Sequence, residues 1–110
     1  IEDVFKIQAK AMEVLIKEEI VSYIIDLVDM TRVHPDIRLG ASPRASLALM
    51  QTARSYAMIN GRDYVTPDDI KVLAHPVMGH RIMLHPRSQV KGETPSRIIT
   101  GILKTVSVPT

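Results

Sequence analysis

Apolar positions recur at helical spacing in several stretches of the chain, and Ser-Pro or Thr-Pro pairs punctuate them. Between Lys17 and Met30, residues Ile20, Ile24, Leu27 and Val28 form one stripe that Val21 and Ile25 widen. Glu18 and Glu19 fall in the first turn and Arg32 just past the last, the charge order a helix dipole favours. The polar face is narrow (Ser22, Asp26, Asp29), which predicts a helix near the middle of a bundle. A second helix is predicted from Ser42 as N-cap and Pro43 at the first helical position to Asn60, with Gly61 just past its end. On it Leu49, Met50, Ala53, Tyr56 and Ala57 share the side expected in the core, while Arg44, Gln51, Ser55 and Met58 lie opposite. Thr66-Pro67-Asp68-Asp69 opens a third helix, with Thr66 and Asp69 as a short capping box, and this helix is expected to end before Pro76. Thr94-Pro95 opens the last, with Ile98, Ile99, Ile102 and Leu103 on its apolar side.

Weaker signals fill the rest. Glu2 to about Ala11 reads as a short helix with an acidic start. Val14-Leu15-Ile16 and Tyr64-Val65 read as extended pieces that pair with each other. His34-Pro35-Asp36 is a turn, because the residue before proline leaves the helical region. Val77 to Leu84 fits a helical turn or an extended segment equally, Arg87 to Glu93 reads as a loop, and Val106 to Thr110 as a tail. The expected fold is therefore all-α: one small bundle of about five helices over residues 1–110, with a minimal two-strand pairing.

Composition narrows the possible chemistry. A chain of 110 residues with 45% apolar positions supports one core and not two. A net charge of +2, one Phe, three Tyr and no Trp argue against a nucleic-acid groove or a stacking platform for single strands. The absence of Cys removes disulfides and thiolate chemistry and fits a reducing compartment, so a cytoplasmic location is expected. No apolar run is long enough for a membrane span, and no signal peptide is visible. The chain begins at Ile1 without Met, which suggests a piece of a longer protein.

Several catalytic patterns are missing. No Gly is followed by Lys, so there is no P-loop turn to wrap phosphates, and G-x-G-x-x-G, H-E-x-x-H and G-x-S-x-G are absent too. His75, His80 and His85 are five apart, a spacing that turns successive side chains away from each other on a helix. No metal site is expected, and all four His read as structural or surface residues. Asp68 and Asp69 read as capping and dipole compensation, since neighbours on a helix do not face each other across a cleft.

One residue resists this bland reading. Arg44 puts a cation on the first turn of a helix, which is unfavourable by ~0.3–1 kcal/mol when exposed. Beside a bound phosphate the sign reverses, because free N–H groups and a planar guanidinium fork both suit an anion. From spacing alone, an arginine extending into water remains the simpler account.

Three blocks bear on that choice: LGASPRA (Leu39 to Ala45), GRDYVTPDDIK (Gly61 to Lys71) and PVMGHRI (Pro76 to Ile82). In this order, within residues 23–82, they resemble the C-terminal lid subdomain of MoxR-type AAA+ ATPases. The first 20 residues and the last 25 match more loosely. The resemblance implies a helical lid that follows an α/β subdomain carrying Walker A, Walker B and the arginine finger, none of which this sequence contains. It implies that Arg44, in Ser-Pro-Arg, is the sensor 2 residue meeting the γ-phosphate of ATP, with Mg²⁺ held by the α/β subdomain. Arg38 and Arg81 are secondary candidates at the phosphate or a subunit interface, with a surface charge and an intra-bundle or neighbour ion pair as their plainer readings. Met58, on the Arg44 side, would be covered by the α/β subdomain. The implied partners are that subdomain, neighbouring subunits of a hexameric ring and a von Willebrand factor A domain protein. The implied activity is ATP hydrolysis coupled to chaperone-like remodelling, which this chain would not perform alone. The competing readings are a helix-turn-helix DNA-binding module, disfavoured by the modest charge around Arg44, and a protein-interaction bundle with no nucleotide role.

Overall fold

A computed structural model describes residues 14–109. The elements run α1 (Glu18–Val33), β1 (Ile37–Leu39), α2 (Pro43–Ile59), α3 (Pro67–Met78), β2 (Met83–Leu84), α4 (Pro86–Val90) and α5 (Pro95–Thr105). The architecture is the expected helical bundle with a two-strand scrap. α2 packs against α1 and α3, and α5 closes the bundle against α3 and α1. The core is formed by the predicted stripes: Ile24, Leu27, Leu49, Ala53, Ala57, Ile70 and Ile99 have no exposed surface. Three alanines of α2 (Ala45, Ala53 and Ala57) are fully buried, which lets neighbouring helices approach closely.

The Pro-marked helix starts stand where the sequence puts them, at Pro43, Pro67 and Pro95. Thr66 and Asp69 form the full capping box. Gly61 follows α2 at φ +77°, a conformation open to glycine at little strain.

Several expectations are corrected. α1 continues three residues beyond Met30 and ends where His34 turns extended ahead of Pro35. α3 does not end before Pro76 but runs through it to Met78. Burial of Val77 and Met78 offsets the hydrogen bond that proline removes, and Gly79 N–H closes the end on the His75 carbonyl. Residues 87–90, within the loop expected over Arg87 to Glu93, belong instead to the short helix α4, because Pro86 starts a turn and Ser88, buried, donates to the Asp36 carboxylate at 2.7 Å. Met58 is half-buried and packs on the core, and Tyr56 is only half-buried. The helix expected over Glu2 to Ala11 lies outside the described residues, so the five helices observed are not the same five. The expected pairing of the Val14 and Tyr64 segments exists as one parallel bridge, Leu15 with Tyr64. The two-strand sheet itself is a different one: β1 pairs antiparallel with β2, Ile37 opposite Leu84 and Leu39 opposite Met83.

The turn from α1 into α2 is locked by a single hydroxyl. Thr31, fully buried, donates to the Val28 carbonyl at 2.6 Å and accepts the Ala41 N–H at 2.9 Å. Thr31→Val keeps the shape and strands that buried N–H, so a loss of about 2 kcal/mol is expected. The check is the urea midpoint at unchanged m-value.

Candidate functional site

The N-terminus of α2 is built differently from those of α1 and α3. Glu18 and Glu19 occupy the first turn of α1, and Asp68 and Asp69 that of α3. The hydroxyls of Thr66 and Thr94 accept first-turn N–H groups of α3 and α5. Ser42, the N-cap of α2, makes no side-chain cap bond, and its helix has no acid in the first turn. Arg44 is exposed there, and among the described residues no carboxylate pairs with it. An exposed guanidinium thus stands on the first turn of a helix whose dipole and free N–H groups favour an anion.

The other two candidates behave differently. Two residues of β1 step past one of β2 between the pairs Ile37–Leu84 and Leu39–Met83, which leaves Arg38 as the bulged residue. It is exposed. Arg81 donates to the Val77 carbonyl at 2.6 Å, at the C-terminal end of α3, where the dipole favours a cation. The expected intra-bundle contact of Arg81 is therefore made to a carbonyl and not to an acid. Arg38 and Arg81 flank the same small ladder, and Arg44 follows it in the next element.

Two of the histidines make contacts within the fold. His75 Nε2 meets Thr100 Oγ1 at 3.0 Å between α3 and α5, and His34 Nδ1 accepts the Asp36 N–H at 3.1 Å. Among the described residues no group of three His, Asp or Glu is placed to hold a metal ion.

Sequence reasoning missed the strongest polar site. Arg62 grips Asp69 with two hydrogen bonds, at 2.8 and 2.6 Å, and donates to the Tyr64 carbonyl at 3.1 Å. Its guanidinium lies over the Tyr64 ring, 5.7 Å from the centroid. Asp69, 3% exposed, also accepts the Thr66 N–H at 2.9 Å. The two residues are seven apart, Arg62 in the turn after α2 and Asp69 in α3, so no helical or strand periodicity links them. The only sequence signal is an arginine just past a helix end and an acid at the start of the next.

Burial alone would raise the Asp69 carboxyl above its ordinary value. The Arg62 hydrogen bond and the Thr66 N–H outweigh that, and the net effect is a lowered pKa. A carboxyl that is more acidic in the folded state stabilises the fold above the unfolded value near pH ~4, and the contribution disappears as pH falls through the folded value. Asp69→Asn is expected to be less stable than the parent at pH 7, and the difference is expected to shrink as pH falls through the folded value, as urea titrations across the acid range will show.

No helix among the described residues is long and apolar enough to cross a membrane.

Comparison with known proteins agrees with this architecture. The model of the AAA lid domain family matches residues 29–102. The chain is 43% identical over 98% of its length to the uncharacterized protein YeaC of Bacillus subtilis, and 33% identical over 97% to Chaperone MoxR1 of Mycobacterium tuberculosis. It covers 34% and 31% of those two proteins. A crystal structure of a "putative ATPase" from Cytophaga hutchinsonii superposes with a TM-score of 0.92 at 35% identity, over 99% of this chain and 36% of that one. The chain thus spans about a third of the length of these relatives. With the bundle, the uncapped arginine-bearing helix and these matches in agreement, the chain belongs to the AAA lid domain family, as a lid of the MoxR type.

Proposed function

We propose that this lid delivers Arg44, as a sensor 2 residue, to the γ-phosphate of ATP bound by the α/β subdomain of a MoxR-type ATPase, and that its movement couples ATP hydrolysis to remodelling of protein complexes. One observation carries the reading: the guanidinium stands exposed and without an acid on the first turn of a 17-residue helix whose N-terminus lacks a side-chain cap. A cation placed there is unfavourable until an anion arrives, and then both the helix and the side chain favour the complex. As charge shifts among the γ-phosphate oxygens, a fork already in place stabilises it without reorganisation. The P-loop cradle and Mg²⁺ ligands belong to the α/β subdomain on this reading, since the chain has no Gly-Lys pair to begin one.

Exposed apolar residues in the ladder before α2 and on α2 itself support the same docking. Leu39 and Met83, paired across the ladder, are 58% and 55% exposed, and Leu47, one turn along α2, is 59% exposed. They offer apolar area to a subdomain that brings ATP to Arg44. The name Chaperone MoxR1 for one relative supports the remodelling part of the proposal. Neighbouring subunits of a hexameric ring and a von Willebrand factor A domain protein are the partners carried over from the resemblance.

The test is Arg44→Ala in the full-length protein, with ATP turnover as the readout. Loss of turnover with an intact lid supports the assignment, and wild-type turnover refutes it.

A further inference from the structure

The Arg62–Asp69 pair lies at the far end of α2 from Arg44, yet it stands where three parts of the chain meet. The segment preceding α1 is held on both sides at Leu15: its N–H donates to the Asp63 carbonyl at 2.8 Å, and its carbonyl accepts the Val65 N–H at 2.9 Å. The end of α2 is tied to the same turn, since the Arg62 N–H donates to the Ala57 carbonyl at 2.9 Å. The start of α3 joins through Thr66, whose N–H the Asp69 carboxylate takes. Arg62 closes the circle by bonding the Tyr64 carbonyl and both oxygens of Asp69. One ion pair therefore ties the turn that holds Leu15 to the start of α3.

We infer that Arg62 and Asp69 are positioning residues for the reaction at Arg44, a clamp that transmits the orientation of the chain before α1 to the other end of α2. The inference rests on the sensor 2 reading, in which the α/β subdomain is connected through that segment. α2 is suited to act as a rod: Ala45, Leu49, Ala53 and Ala57 along it are all fully buried. From Arg44 to Asn60 it spans about 24 Å at 1.5 Å per residue, so a tilt of about 5° at the clamp moves Arg44 by about 2 Å. A displacement of only ~1 Å can slow a positioned reaction about 100-fold. On this inference the effect of the clamp passes through Arg44.

The experiment is a double-mutant cycle in the full-length protein. Arg62→Lys retains the charge and loses the two-toothed grip; Asp69→Asn, which keeps an acceptor for the Thr66 N–H, is the second variant should the first not fold. Melting of each variant is measured first, and assays run where each lid is folded. With Arg44 present, either clamp variant is expected to lower kcat about 10-fold and to leave the KM for ATP within about twofold. In an Arg44→Ala background the same variant is expected to lower kcat less than twofold. Sites more than about 10 Å apart that act independently show additive effects, so a full 10-fold loss in both backgrounds overturns the clamp while leaving Arg44 in its role. Unchanged kcat in the clamp variants overturns it also. Wild-type turnover in Arg44→Ala alone overturns the sensor reading, and the clamp with it.

Discussion

If Arg44 acts as the proposed sensor 2 residue, Arg44→Ala is expected to lower ATP turnover of the full-length protein about 100-fold and to leave a lid as stable as before or slightly more so. The magnitude follows from mutagenesis of single preorganised donors at developing negative charge, worth about 10²–10³ in rate. The stability follows from the site. The side chain is exposed, and among the described residues it neither pairs with an acid nor caps a helix. Removing a cation from the positive end of α2 relieves ~0.3–1 kcal/mol of unfavourable dipole interaction. A residue conserving the fold would show the opposite pattern, loss of melting temperature first and activity second. Arg44→Lys separates charge from geometry: it retains the point charge but not the planar fork, and turnover intermediate between parent and Arg44→Ala is expected. Turnover assays paired with thermal melting decide each of these outcomes.

Gly40→Ala is expected to destabilise the lid by about 3 kcal/mol, at the upper end of overpacking effects. A Cβ at this position would lie 2.6 Å from the Thr31 carbonyl oxygen, 2.8 Å from the Thr31 carbonyl carbon and 2.9 Å from the Arg32 Cα. All three are backbone atoms of the last turn of α1, so no side chain can rotate away. The chain must lift off α1, and lifting it breaks the Ala41 N–H to Thr31 hydroxyl bond next door. For a domain of about 100 residues a loss of this size lowers Tm by roughly 12–24 °C. Gly61 makes the useful contrast. Nothing lies within 4 Å of a Cβ there, and only its φ of +77° favours glycine. Gly61→Ala is accordingly expected to lose only about 1 kcal/mol. Melting curves of the two variants side by side test whether space or dihedral angle is the reason for each glycine. Because Gly40 lies between β1 and the start of α2, Gly40→Ala in the full-length protein also perturbs the approach to Arg44.

Both positions sit in the block Leu39 to Ala45, yet they were legible to different degrees. Arg44 was recognisable because its oddity is local: a cation within one turn of a Ser-Pro helix start contradicts the dipole, and the contradiction can be read from neighbouring letters. Gly40 was not, because the atoms that exclude a side chain belong to Thr31 and Arg32, one element earlier. The same divide separates the two roles of Asp69. Its capping box is a contact across three residues and was anticipated. Its grip by Arg62 joins the end of one helix to the start of the next and was not.

The amino-acid order by itself determined the helical stripes, the starts at Pro43, Pro67 and Pro95, the stop at Gly61 and the cation on the first turn at Arg44. Each depends on interactions within about one helical turn, where spacing in sequence is spacing in space. Only the tertiary structure decided that α3 passes through Pro76, that residues 86–90 coil into a helix on Asp36, that β1 pairs with β2, and that Arg62 reaches Asp69. In these cases a local preference was weak or adverse, and burial or a hydrogen bond from a different element outweighed it by more than the propensity at stake.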